Sequence, residues 1–156
     1  MQFSPYLIFN GDCAEAFKFY EQTLGGKIDA LMTFAGSPAA EDVPPEWGDK
    51  ILHAAMTIDG QLLMASDAPP GQYAKPQGIS VSIALNDRDK GEQIFNTLAE
   101  GGTVQMPYQK TFWASGFGMC VDRFGTPWMV NVNAAGQDDE SNGKVRSAEP
   151  SGPGRR

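Results

Sequence analysis

The stretch FYEQTLGGKI, from Phe19 to Ile28, returns later in the chain as FNTLAEGGTV, from Phe95 to Val104. The Phe, the Gly pair and a β-branched residue fall at the same offsets in both. A Gly pair that closes an apolar run at helical spacing marks a helix C-terminus, because glycine enters the left-handed region without a Cβ penalty. Each copy therefore reads as the end of a helix followed by a strand, and the chain reads as a duplication.

Working outward from the first copy, Ala16, Phe17, Tyr20 and Leu24 form a stripe at helical spacing, and Asp12 with Glu15 has the spacing of a capping box. The second helix is expected to begin at Asp87 or Asp89 and to carry Ile94, Phe95 and Leu98, with Gly91 weakening it slightly. The strand-like runs PYLIFN and ISVSIAL precede the two helices. Three extended segments follow each Gly pair: KIDALMTF, ILHAAMTI and QLLMAS in the first copy, TVQMPYQ, FGMCVD and PWMVNVN in the second. Asp59-Gly60 is a tight-hairpin signal, and RFGT makes the corresponding turn of the second copy. The order β-α-β-β-β thus occurs twice, which predicts an α+β domain over residues 1–133 with modules at 1–67 and 78–133.

Two segments stand outside this pattern. The acidic run AGSPAAEDVPPEWGD, from Ala35 to Asp49, carries prolines that oppose helix and strand alike, and it reads as either a lid or a disordered insertion. The tail from Ala134 to Arg156 has one Val as its only large apolar residue and is expected to be disordered.

Composition narrows the functional classes. A chain of 156 residues with 41% hydrophobic residues builds one core. The net charge of −7 opposes nucleic-acid binding, which needs clustered Lys and Arg. No apolar run reaches the length of a membrane span, and the N-terminus MQFSPYLIFNG lacks the features of a signal peptide. Cys13 and Cys120, far apart and outside any C-x-x-C pair, read as free thiols in a reducing cytoplasm.

The chemistry-bearing residues are few. His53 is the only histidine, which excludes a two-His metal site within one chain; it is the natural general acid or base, and equally a hydrogen-bonded strand residue. Asp67, Asp87, Asp89 and Asp122 sit where capping and turn roles are usual. Cys120 has no histidine partner in sequence, GFGMCV lacks the strand-to-helix context of a phosphate loop, and no G-x-S-x-G elbow is present. What remains is alternation. Ser80 and Ser82 oppose Ile79, Val81 and Ile83, while Met129, Asn131 and Asn133 oppose Trp128, Val130 and Val132. Uncharged hydrogen-bonding groups among Met and aromatic side chains suit a small-molecule pocket, although they could also face solvent or a dimer partner.

The pieces SPYLIFNGDCAEAFKFYEQTLGG, ILHAAMTIDGQLLMASD and TFWASGFGMCVDRFGTPWMVN, in this doubled order, resemble the vicinal oxygen chelate superfamily of glyoxalase I, extradiol dioxygenases and bleomycin or fosfomycin resistance proteins. Within it the chain looks like the PhnB-like branch, often labelled 3-demethylubiquinone-9 3-methyltransferase. The resemblance spans Met1 to Asn133. It implies a glyoxalase-like fold, eight strands curling into a cup that is usually completed in a homodimer.

In the metal-dependent relatives the ligands are His, Glu or Gln on the first and last strands of each module. The corresponding positions here fall near Pro5, Met64, Ser80 and Met129, which are poor ligands for a divalent cation, and Gln61 lies at the wrong end of its strand. Nor does the chain show the Gly-rich strand-to-helix turn in a parallel sheet that an adenosyl methyl donor usually occupies.

The resulting expectation is a cytoplasmic homodimer that binds a small organic molecule in the cup, with neither metal nor other cofactor, and with no nucleic-acid or membrane partner. His53 would be the polar anchor and catalytic group of a metal-free isomerase or lyase step, or the protein would only sequester its ligand. Met64, Ser80, Phe112, Trp113, Trp128, Met129 and Asn131 would line the site. Two alternatives stand beside it: a metal-dependent glyoxalase or dioxygenase-type enzyme with His53 and Asp67 among its ligands, and a non-catalytic structural or regulatory dimer.

Overall fold

Each module lays its strands into a sheet of its own. In the computed structural model, which describes residues 1–134, the first module runs β1 (Tyr6–Phe9), α1 (Cys13–Leu24), β2 (Lys27–Thr33), β3 (Ile51–Ile58) and β4 (Gln61–Asp67). The second runs β5 (Val81–Leu85), α2 (Arg88–Ala99), β6 (Thr103–Gln109), β7 (Ala114–Val121) and β8 (Pro127–Asn133). The sheet orders are β1-β4-β3-β2 and β5-β8-β7-β6, so the two copies share one topology, with the first strand parallel to the last and the others antiparallel. The α+β duplication read from the Gly pairs holds. Of the tail expected from Ala134 to Arg156, residues 135–156 lie outside the described residues.

The local signals act through the expected chemistry in most places. Gly25 ends α1 in the left-handed region at φ 69°. Asp59 and Gly60 both take positive φ, 48° and 75°, the mirror-image turn that matches strand twist in a two-residue hairpin. Asp87 caps α2, its Oδ1 accepting from the Lys90 N–H at 3.0 Å. Gly91, a poor helix former, sits in α2 because a Cβ there would come within 2.5 Å of Val132 Cγ2. β5 is shorter than its alternating run, leaving Ile79 and Ser80 ahead of the strand.

Two expectations need correction. The capping box at Asp12 and Glu15 does not form: Asp12 has φ −113° and ψ 19°, not the extended backbone of an N-cap, and its side chain makes no capping bond. Asp67 caps α1 from the end of β4 instead. One oxygen accepts from the Gly11 and Cys13 N–H groups at 2.8 and 3.0 Å, the other from Ile51 N–H at 2.8 Å. The Ala35–Asp49 segment is not structureless either. It contains two 3-10 turns, Pro38–Asp42 and Pro45–Trp47, each starting at a proline whose missing N–H costs nothing there. Its ends are clamped by Phe34 N–H to Lys50 O (3.0 Å) and Ala35 N–H to Gly48 O (2.9 Å), and the Trp47 ring packs over Gly11.

The helix-side faces of both sheets meet in one core. Phe9, Phe17, Tyr20, Met56 and Leu63 from the first module join Phe95, Leu98, Trp128 and Val130 from the second. At its centre the carboxylate of Asp122, 3% exposed, accepts from the Tyr20 hydroxyl, the Trp128 indole N–H (2.8 Å) and the Phe124 and Thr126 N–H groups (2.9 and 3.0 Å). Four donors on one carboxylate offset the cost of burying it without a cation.

Candidate functional site

The faces turned away from the helices carry the candidate chemistry. On β4, Leu63, Ala65 and Asp67 point inward while Leu62, Met64 and Ser66 point outward. Register then fixes the outward neighbours: Tyr6 and Ala55 flank Met64, Ile8 lies beside Ser66, and Met32 lies opposite His53. The Tyr6 hydroxyl reaches across from the edge strand to 3.1 Å from His53 Nδ1, with ring centroids 5.8 Å apart. Tyr6 was not among the expected site residues. The alternation of PYLIF, Tyr6 and Ile8 against Leu7 and Phe9, carried the signal.

On the second sheet, Ser82 pairs with Met129, Met119 with Met129, and Phe117 with Asn131. A depression of about 650 Å³, the size of a small-molecule site, is lined by Ser80, Gln105, Met119 and Met129 and walled by the chain from Lys75 to Gly78. Trp113 sits edge-on to Phe117 at 5.3 Å, and Phe112 edge-on to Trp113 at 4.8 Å. Phe112 itself is 97% exposed.

The expected site residues therefore fall into two groups. His53 and Met64 share the first sheet, while Ser80, Met129, Asn131, Phe112 and Trp113 belong to the second. Trp128 belongs to neither and is a correction. It is 1% exposed, faces the core, donates to Asp122 and stands edge-on to Tyr20 at 5.2 Å. Strand alternation dictates this, since Trp128, Val130 and Val132 are the inward residues of β8. Beyond the core it reaches only an intermodule crevice of about 210 Å³, below the usual size of an organic-ligand site.

The metal positions of the superfamily also shift by register. Pro5 and Ser80 precede their strands, and the outward residues paired across the first and last strands are Tyr6 with Met64 and Ser82 with Met129. A phenol, a hydroxyl and two thioethers do not fit a hard or borderline divalent ion. Among the described residues no three His, Cys, Asp or Glu side chains come together. Asp67, weighed above as a co-ligand of His53, points to the opposite face of the sheet, its oxygens occupied by N–H groups.

The thiols are equally unsuited to nucleophilic chemistry. Burial, with Asp67 and Asp12 nearby, pushes the Cys13 thiol far up. Burial and then Asp122 push Cys120 up to about 11. Both stay protonated at neutral pH.

The profile of the family described as 3-demethylubiquinone-9 3-methyltransferase matches residues 1–131. The chain belongs to this family. Its fold is glyoxalase-like. Protein YjdN of Escherichia coli K12 is 38% identical over 140 residues, covering 85% of this chain and 95% of that one. The crystal structure of PA1353 from Pseudomonas aeruginosa is 48% identical, with a TM-score of 0.79 over 85% of this chain and 98% of that one. A PhnB protein from Bacillus cereus, described as a putative 3-demethylubiquinone-9 3-methyltransferase, shares the fold at 21% identity, with a TM-score of 0.71 over 85% of this chain and 99% of that one.

The geometry of this chain does not fit an adenosyl methyl donor at the strand-to-helix turns. The glycine of the β1–α1 turn, Gly11, gives its N–H to Asp67 and lies under Trp47, and the β5–α2 turn is closed by the Asp87 cap. Among the described residues no helix is long and apolar enough to cross a membrane.

Proposed function

We propose that this PhnB-like protein is a cytoplasmic homodimer that holds a small organic molecule against its outward sheet faces. It works without a divalent metal or other cofactor, and either sequesters the molecule or carries it through an isomerase or lyase step at His53. The observation that carries the reading is the make-up of those faces: Tyr6, His53, Ser82 and Asn131 offer uncharged hydrogen bonds among Met32, Met64, Met119, Met129 and Trp113. Ordered polar groups in an apolar, polarisable wall are the general composition of a ligand site. The contacting residues are His53, Met64, Ser80, Phe112, Trp113, Met129 and Asn131, with Tyr6 added and Trp128 removed. The dimer enters because one chain leaves Tyr6, Ile8 and Met32 on one sheet and Met106 and Trp113 on the other more than a third exposed. A second copy can cover such patches.

Purification without chelator, metal analysis and thermal melting with Ni, Zn, Mn and Fe test the metal-free reading. The expected result is no stoichiometric metal and no rise in Tm. A stoichiometric metal that disappears in His53→Ala overturns it. Sedimentation equilibrium should give twice the chain mass; a monomer at every concentration removes the dimer. A ligand library should contain members that raise Tm in the parent and less in Asn131→Ala. A library with no such member favours the non-catalytic dimer.

A further inference from the structure

We infer that Tyr6 holds the His53 imidazole with Nδ1 as acceptor, so that Nε2 presents an N–H to the outward face, and that the molecule bound there is neutral with a carbonyl-type acceptor oxygen. Amides, lactams and ketones belong to this class; carboxylates and phosphates do not. The inference rests on the small-molecule reading above and narrows it.

The donor order follows from the pair itself. Tyr6 Oη and His53 Nδ1 are 3.1 Å apart, and one of them must carry the shared proton. A phenol O–H is the better donor and an imidazole nitrogen the better acceptor, which puts the proton on Tyr6 and leaves Nε2 protonated in the neutral ring. Nε2 makes no hydrogen bond to any described residue. Trp47 Nε1 is the only buried side-chain nitrogen or oxygen among the described residues without a partner, so His53 Nε2 is open to solvent and to a ligand.

The surroundings select against charge. Met32 and Ala55 adjoin His53 on the outward face, and Met64 with Ile8 continues the apolar surface. On the four strands of this sheet the one cation is Lys27, paired with Thr57. Thr57 lies four positions along β3 from His53, about 13 Å away at the strand rise. Asp29 sits at that same end, accepting from Thr57 Oγ1 at 2.6 Å. An anion bound at His53 would thus find no Lys or Arg of these strands within about 13 Å to pair with, on a chain of net charge −7. A neutral acceptor oxygen needs only the one N–H and an apolar wall for its body.

The single histidine makes the test direct, because the untagged chain gives one imidazole in a long-range proton–nitrogen spectrum. The expected spectrum is that of the Nε2–H tautomer, giving way to a tautomer mixture in Tyr6→Phe; an Nδ1–H ring in the parent overturns the inference. Benzamide and benzoate are then titrated as matched probes. Benzamide should shift the His53 Nε2 resonance and bind roughly three- to ten-fold more weakly to Tyr6→Phe, the range of one neutral hydrogen bond. Benzoate binding at His53 as tightly as benzamide overturns the inference. So does benzamide that moves Trp113 and Asn131 signals and leaves His53 unmoved, a result that keeps the small-molecule reading intact. If neither probe moves any outward-face resonance, both readings fall.

Discussion

The hydroxyl of Tyr20, on the helix of the first module, donates to the carboxylate of Asp122, in the closing turn of the second, across 102 positions of sequence. Thr126 Oγ1 lies 3.0 Å from the same hydroxyl. The bond joins two modules whose sheets share no strand pairing.

Loss of this junction should be costly. Tyr20→Phe removes one charge-assisted bond and leaves Asp122 three donors, so urea melts should show a loss of about 1.5–3 kcal/mol. Asp122→Ala strands the Trp128 indole, two backbone N–H groups and the Tyr20 hydroxyl together, and its loss should exceed that of Tyr20→Phe. Equal losses would show that the carboxylate contributes nothing beyond the tyrosine.

Alkaline pH should unfold the protein in two stages. Cys120 is pushed from 9.0 up to about 11, Cys13 is pushed further by burial, and burial followed by Asp122 raises Tyr20 well above its usual 10.0. Each group has a folded value above its unfolded one, so its contribution is complete below the unfolded value and is lost as pH rises towards the folded one. Stability measured by urea melts should decline from about pH 9 as the thiols of the unfolded chain ionise, by about 1.4 kcal/mol per unit per group. Above pH 10 the tyrosine steepens the fall. Tyr20→Phe should flatten the curve above pH 10 and leave the decline between pH 9 and 10 unchanged; an unchanged slope above pH 10 refutes the assignment.

At the start of the first helix, the structure reverses the ranking suggested by spacing. Asp12→Ala should cost less than about 0.5 kcal/mol, since its side chain makes no capping bond. Asp67→Ala leaves the Gly11, Cys13 and Ile51 N–H groups unpaired and should cost about 3 kcal/mol or more. Denaturant melts of the two variants decide between them.

Gly91→Ala sets helix propensity against packing. Propensity alone predicts a gain of about 1 kcal/mol. The added methyl would meet Val132 Cγ2 at 2.5 Å and Tyr108 Oη at 2.9 Å, and overpacking of this kind costs about 1–3 kcal/mol. The net expectation is destabilisation, and a Tm above that of the parent would show that α2 shifts without penalty.

What could be read from the sequence was local. Gly25, the Asp59-Gly60 turn and the Asp87 cap act on residues within a few positions of themselves, and they set the element order. The outward placement of Met64 and Met129 follows from strand alternation. The same alternation places Trp128 inward, so its aromatic character serves the core and not the outward face. The partners that matter most at the site and in the core lie far apart: Tyr6 with His53 by 47 positions, Asp67 with Cys13 by 54, Tyr20 with Asp122 by 102. No spacing rule reaches so far, because these pairs are created by sheet order and by the docking of one module on the other. The Trp47 contact over Gly11 was hidden for the same reason.

The distance between Tyr20 and Asp122 also has a meaning in time. During synthesis at about 5–20 residues per second, the first helix leaves the ribosome several seconds or more before the turn that receives its hydroxyl. For that interval Phe19 and Tyr20 lack the Phe124 and Trp128 rings they later touch. The aromatic face of the first helix therefore stays uncovered until the second module has emerged.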